Sequence, residues 1–122
     1  MKKSSSLWRK CVSLCAKAVK LRDGGICRVP GCNNPATDTV HIIDRDVHST
    51  TFDLSNLYAG CRKQHNHDKP LDLIKQHIQV VGQGEVLRLC KLAQVYRRLR
   101  ESDLIVIRDG LEAELKTRKG EL

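Results

Sequence analysis

Two cysteines across a proline-glycine turn, Cys27-Arg-Val-Pro-Gly-Cys32, and a third thiol with an imidazole four residues on, Cys61-Arg-Lys-Gln-His65, restrict this chain more than any other pattern in it. A thiol pair on one tight loop can reach a single tetrahedral ion, and Cys61 with His65 adds two further ligands of the kinds that bind zinc. The spacing therefore predicts a structural zinc site of Cys27, Cys32, Cys61 and His65. Cys61 and His65 would share one side of a short helix that starts near Cys61 and ends around Asp68. Gln64, a poor zinc ligand, stands where a Cys-x2-Cys pair would carry its second thiol. His67 is a second imidazole within reach, and which of His65 and His67 faces the zinc stays open.

A metal staple suits the rest of the composition. The 122 residues are enough for one domain, yet they include only one Trp, two Tyr and one Phe, and 30% are charged. Apolar area to offset chain entropy is thus scarce. Lys and Arg number 22 against 14 Asp and Glu, a formal charge of +8, which favours an anionic partner and makes nucleic acid the first expectation. No run of 18 apolar residues occurs, so no membrane partner is expected. The opening imitates a signal peptide, but Arg9, Lys10, Lys17 and Lys20 interrupt any apolar stretch, and a cytoplasmic location with reduced cysteines is expected.

The chain reads as a single α+β domain, 1–122, in three parts: an N-terminal helix (1–22), a zinc-bearing core (23–69) and C-terminal helices (70–122). Ser4 to Ser6 can cap a helix with Leu7, Trp8, Cys11, Leu14, Cys15, Ala18, Val19 and Leu21 on its apolar side, which Asp23-Gly24-Gly25 ends. Between Ile26 and Ile43 two short strands are expected around the knuckle and the Asn-Asn-Pro turn. A loop covers Asp44 to Thr51. Pro70 can open a helix to about Val81, Gly82 and Gly84 interrupt it, and Glu85 to Arg100 has a strong helical period. Ser102-Asp103 can cap a last helix through Lys119, against the β-branched Ile105-Val106-Ile107 and Gly110. Cys11, Cys15 and Cys90 lie on apolar stripes and read as small core residues. His48 and His77 read as a loop and a helix-surface histidine.

Val40-His41-Ile42-Ile43-Asp44-Arg45, then Asp53-Leu54-Ser55-Asn56-Leu57, then Cys61 through His67, resembles the HNH (His-Me finger, ββα-metal) endonucleases. The resemblance covers about residues 23 to 69. It implies a small zinc-stabilised ββα-metal core flanked by additional helices. It also implies metal-dependent hydrolysis of DNA phosphodiesters, with His41 as general base, Asn56 holding the loop that orients it, and His65 as a ligand of a catalytic divalent cation, Mg²⁺ or Mn²⁺. An imidazole titrates near neutrality and a hard cation neutralises phosphate charge, so both roles suit the chemistry. Two positions depart from the family pattern. Val40 stands where many members have a metal-binding Asp, for which Asp38, on the same strand face, is the substitute. Gln64 replaces the fourth zinc cysteine, so if His65 completes the zinc site, His67 must hold the catalytic ion.

Phe52-Asp53, Asn56, Cys61 and Asn66-His67, followed by an Ile-rich helix and Glu85-Val86-Leu87, also look like the NinG (Rap) group of phage recombination endonucleases, which implies branched DNA as substrate. A role on junctions implies two active sites and hence a homodimer, with the apolar faces of 85–100 and of the last helix as its seam. For DNA contact the expected residues are Arg45, Arg62, Lys63 and Lys69 around the core and Arg97 and Arg98 on a second basic surface shared with Arg88, Lys91 and Arg100. With so few aromatics, a stacking platform for single strands is not expected. The alternative of different class is a non-catalytic DNA- or protein-binding zinc module on a decayed HNH scaffold, with Val40 and Gln64 marking lost catalysis.

Overall fold

A computed structural model describes residues 5–120. Helix α1 (Ser6–Arg22) is capped by Ser5, whose side chain accepts the Trp8 N–H at 3.1 Å. The chain leaves it at Asp23, and Gly24 and Gly25, both at positive φ, reverse its direction as the Asp23-Gly-Gly signal requires.

The sheet has two strands, β1 (Asp38–His41) and β2 (Leu57–Gly60), antiparallel, with Asp38 opposite Gly60, Thr39 opposite Ala59, Val40 opposite Tyr58 and His41 opposite Leu57. Cross-strand partners share a face. Thr39 and His41 therefore lie with Leu57 and Ala59 on the side packed against α1, and Asp38 and Val40 lie on the other. The expected strand pair within 26–43 is corrected here. Only an isolated bridge, Ile26 to Pro35, closes the knuckle, and the partner of β1 is β2, which follows a 3-10 turn at Leu54–Asn56.

The expected helix over 61–68 is absent too. This stretch is a series of turns in which Gln64 and Asn66 adopt left-handed φ values of 48° and 57°, which no α-helix accommodates. Helix α2 (Pro70–Val81) opens on its proline as expected, and α3 (Gln83–Ala93) follows after Gly82. The helix expected through Arg100 stops seven residues early, at Ala93. Ser49 Oγ donates to Leu92 O near its end, the Leu99 N–H is accepted by His48 Nδ1, and Leu99 is 2% exposed. Burying Leu99 between α1 and α4 draws residues 94–100 out of the helix. The apolar side expected for that segment is only partly used: Val86 and Leu89 are buried, whereas Leu87 and Tyr96 are exposed, and so is Cys90, which is not a core residue.

Helix α4 (Glu101–Lys119) forms despite its β-branched run and Gly110. Its N-cap is Arg100, whose N–H donates to Asp103 Oδ2 at 2.8 Å, two residues earlier than the Ser102-Asp103 signal suggested. Helices α1 and α4 run in the same direction. Trp8 and Cys11 pack with Leu99 and Leu104, while Leu14, Cys15, Ala18 and Val19 pack with Leu111, Leu115, Leu57 and Ala59. The apolar face of α4 is thus used within the chain and is not the free seam expected for a homodimer. Among the described residues, no helix is long and apolar enough to cross a membrane.

Candidate metal centre and histidine cleft

The knuckle is built by its own backbone. Cys27 N–H donates to Asn34 O at 2.9 Å, Cys32 N–H to Val29 O at 3.1 Å, and Gly31 takes a φ of 81° that a side chain would resist. Arg28 N–H donates to Ala59 O, tying the knuckle to β2. Asp23, unnoticed in the sequence, anchors the same joint. Its buried carboxylate receives Arg22, Arg28 and the Ala59 N–H, at 2.9, 3.0 and 2.8 Å. Burial alone would raise its pKa, but these donors together hold it below the usual carboxylate value.

Cys61 follows β2, and the left-handed turn at Gln64 brings His65 back beside it. The ligating atoms of Cys27, Cys32, Cys61 and His65 all lie within 4.8 Å of one another. Cys32 and Cys61 sulfurs are 3.7 Å apart, and His65 Nε2 is 3.3 Å from each. A tetrahedral zinc with three thiolates and an imidazole requires edges of about 3.8 Å between sulfurs and about 3.6 Å between sulfur and nitrogen. The cluster can hold a metal ion, and its dimensions are consistent with zinc. The Val29 and Lys63 N–H groups hydrogen-bond the sulfurs of Cys27 and Cys61. Without an ion the three thiols share their protons unequally. Burial pushes Cys27 up to about 11, whereas at Cys61 the Lys63 N–H and its Cys32, His65 and Cys27 neighbours outweigh burial and bring it to about 7.

His65 is thereby drawn into the thiol cluster. His67, by contrast, is exposed, with Nδ1 3.2 Å from Gln64 O. A cleft of about 520 Å³ lies next to the cluster, and Asp38, His41, Asp44, Arg45, His65 and His67 are among the residues lining it. Among the described residues the only group of three or more ligands that converges is the Cys3His one, so Asp38 and His67 share a cleft without forming a second cluster.

His41 ends β1, and its ring hydrogen-bonds the Thr51 carbonyl. Its pKa is lowered, chiefly by burial and then by the Arg45 guanidinium, with Asp44 and Thr51 opposing. Asn56 is wholly buried and bonds both backbone groups of Ile43, accepting its N–H at 2.7 Å and donating to its carbonyl at 3.1 Å. The Asn56 carbonyl also accepts the Ile42 N–H, so the chain leaving His41 is fastened at three points.

His77 departs from expectation. It is 4% exposed, and its Nδ1 lies 2.7 Å from the Tyr58 hydroxyl. Gln76 Nε2 donates to the same hydroxyl, and Gln76 Oε1 accepts from Asn66 beside the metal cluster. This buried chain secures α2 to β2 and to the ligand loop. Its sequence signal was slight: Gln76 and His77 are two of five polar residues on a helix that also carries Asp72, Lys75 and Gln79, and nothing in the pattern sets them apart.

Of the residues expected to meet DNA, Arg45, Arg62, Lys63, Lys69, Arg97 and Arg98 are all exposed. Arg97 is paired with Asp103 at 3.5 Å, and Arg88 is held by Glu85 and Ser55. Arg97 and Arg98 line a separate hollow with Asp46 and His48, away from the His41 cleft. Compared with family models, with curated proteins and with solved structures, the chain matches none.

Proposed function

We propose that this chain is a zinc-stapled, HNH-type DNA endonuclease with His41 as its general base. The observation that carries the reading is the setting of His41: an imidazole bonded to the Thr51 carbonyl, on a strand end pinned by Asn56, in the wall of a cleft that also presents Asp38, Asp44 and His67. In this reading β1, β2 and α2 are the ββα unit, and zinc on Cys27, Cys32, Cys61 and His65 is structural. A small domain with few aromatics gains most from such a staple.

The ring nitrogen of His41 not engaged by Thr51 accepts a proton from water as the water oxygen bonds to phosphorus and the P–O bond to the leaving sugar oxygen breaks. A lowered pKa keeps that nitrogen unprotonated at neutral pH. Asp38 and His67, which line the same cleft, would hold a Mg²⁺ or Mn²⁺ ion, and that ion would neutralise charge on the phosphate. Such ions use one or two carboxylates plus substrate oxygens more often than a full protein cage. Arg45 lines the cleft, Arg62, Lys63 and Lys69 are exposed on the segment between β2 and α2, and these cations with the +8 charge favour binding to duplex or branched DNA.

The test is cleavage of supercoiled plasmid and of a four-way junction with Mg²⁺ or Mn²⁺, by wild type and His41→Ala. Metal-dependent cutting that is lost in His41→Ala is expected, and preference for the junction would mark a recombination role. One observation favours a second reading, a DNA-binding zinc module on a decayed HNH scaffold: with Val40 on β1 and His65 in the thiol cluster, no second ligand group converges among the described residues. Salt-sensitive DNA binding without cutting in either metal would select it.

A further inference from the structure

The cleft is not the only opening beside His41. On the α1 side of the sheet lies a second pocket of about 280 Å³, its apolar walls formed by Trp8, Val12, Ala16, Phe52 and Leu57. His41 and Arg45 line both this pocket and the cleft. Trp8 and Phe52 meet edge-to-face with ring centroids 4.8 Å apart, so two of the chain's four aromatics wall one cavity. Pockets for drug-sized ligands begin at about 300 Å³, and this one therefore has room for a single ring system.

What sits at its mouth selects the ring. Arg45 is exposed and makes no salt bridge among the described residues, so its charge is available to an anion attached to the ring. A flat aromatic group carrying a phosphate fits an aromatic corner with a guanidinium at its rim. We propose that the pocket receives one unstacked nucleobase of the DNA substrate, with the phosphate beside that base at Arg45 and within the His41 cleft. This deepens the endonuclease reading and rests on it for the identity of the ligand. The favoured substrate is then DNA with an unpaired nucleotide, since a paired base must first be extruded from the stack.

Trp8 is the only tryptophan, so its emission reports the pocket directly. Zinc-loaded protein, without added Mg²⁺, would be titrated with a paired duplex and with the same duplex carrying one bulged adenine. The bulged duplex is expected to quench Trp8 and to bind at least about 10-fold more tightly. Filling the pocket from its half-buried wall with Ala16→Leu, or from its exposed rim with Val12→Phe, should bring that preference to about unity, with retained zinc content showing that the variants are folded. Equal affinity and equal emission for the two duplexes, or a preference that survives both fillings, would overturn the assignment. So would a Trp8 response to an acidic aromatic peptide and to neither DNA. Cutting of paired plasmid without bulge preference removes the pocket assignment and leaves the nuclease reading intact. Bulge preference without cutting in any metal supports the pocket and selects the non-catalytic module.

Discussion

Asn56 and Ile43 are locked in a two-way hydrogen bond, the Ile43 N–H into Asn56 Oδ1 at 2.7 Å and Asn56 Nδ2 onto the Ile43 carbonyl at 3.1 Å. Asn56 immediately precedes β2 and Ile43 lies two residues beyond the end of β1, so this bond fixes the open end of the strand pair next to His41. A side-chain amide carries its acceptor and its donor on separate atoms of one planar group, as the two bonds to Ile43 require. Asn56→Ala is expected to cost about 2–3 kcal/mol by leaving backbone groups of Ile43 unpaired. Asn56→Asp keeps the acceptor but buries a charge and loses the donor, and should be at least as damaging. Urea unfolding of both variants checks this, and an Asn56→Asp protein as stable as wild type would contradict it.

The metal cluster joins the knuckle, the end of β2 and the turns leading to α2, adding to the Arg28–Ala59 bond and the Asn66–Gln76–Tyr58 chain that also link them. Cys32→Ser or removal of the ion by a strong chelator should therefore loosen residues 26–35 and 61–69 and lower the melting temperature. The α1–α4 helix pair, with its own apolar packing, should persist longer. Hydrogen exchange by segment, with and without chelator, would show protection lost first around the ligands. Uniform loss across α1 and α4 at the same chelator concentration would mean that the ion holds the whole chain together.

Much of this cluster was legible in the sequence because the ligands announce their own chemistry. Cys27 and Cys32 meet through a local turn, and Cys61 and His65 are near neighbours, so residue type and spacing carried the site even though the intervening backbone is a left-handed turn and not a helix. Asp23 was not legible, since its three donors come from α1, the knuckle and β2. The end of α3 was illegible for a similar reason. Nothing in the period of Glu85 to Arg100 shows that Leu99 is needed between Trp8, Cys11 and Leu104.

The His77–Tyr58 pair predicts a pH response. Burial lowers the His77 pKa in the folded chain, so between the folded and unfolded values the unfolded state binds more protons. Stability from this group is complete above the ordinary histidine value and is lost as pH falls toward the folded one. Zinc loss also destabilises in acid, so the comparison must be between wild type and His77→Phe, which cannot titrate. His77→Phe should be less stable at pH 8 by about 1–3 kcal/mol, because the Tyr58 hydroxyl loses a buried partner, and the gap should narrow as the pH drops below 6. A gap independent of pH would show that His77 remains neutral throughout.

Arg45 and Asp44 set opposite charges near His41, the first lowering its pKa as burial does and the second raising it. If His41 takes the proton from water, the cleavage rate must fall on the acid side as its ring becomes protonated, and that limb must follow the pKa. Asp44→Asn removes the charge that favours the imidazolium, so the limb should move to lower pH. Arg45→Gln removes the charge that opposes it, so the limb should move to higher pH. Arg45 is also the proposed phosphate contact, and on that proposal its loss should weaken DNA binding as well. The position of the limb in single-turnover rates at saturating DNA separates the two effects. Opposite displacements in the two variants are the expected result, and a limb that stays in place in both would remove His41 from the proton-transfer step.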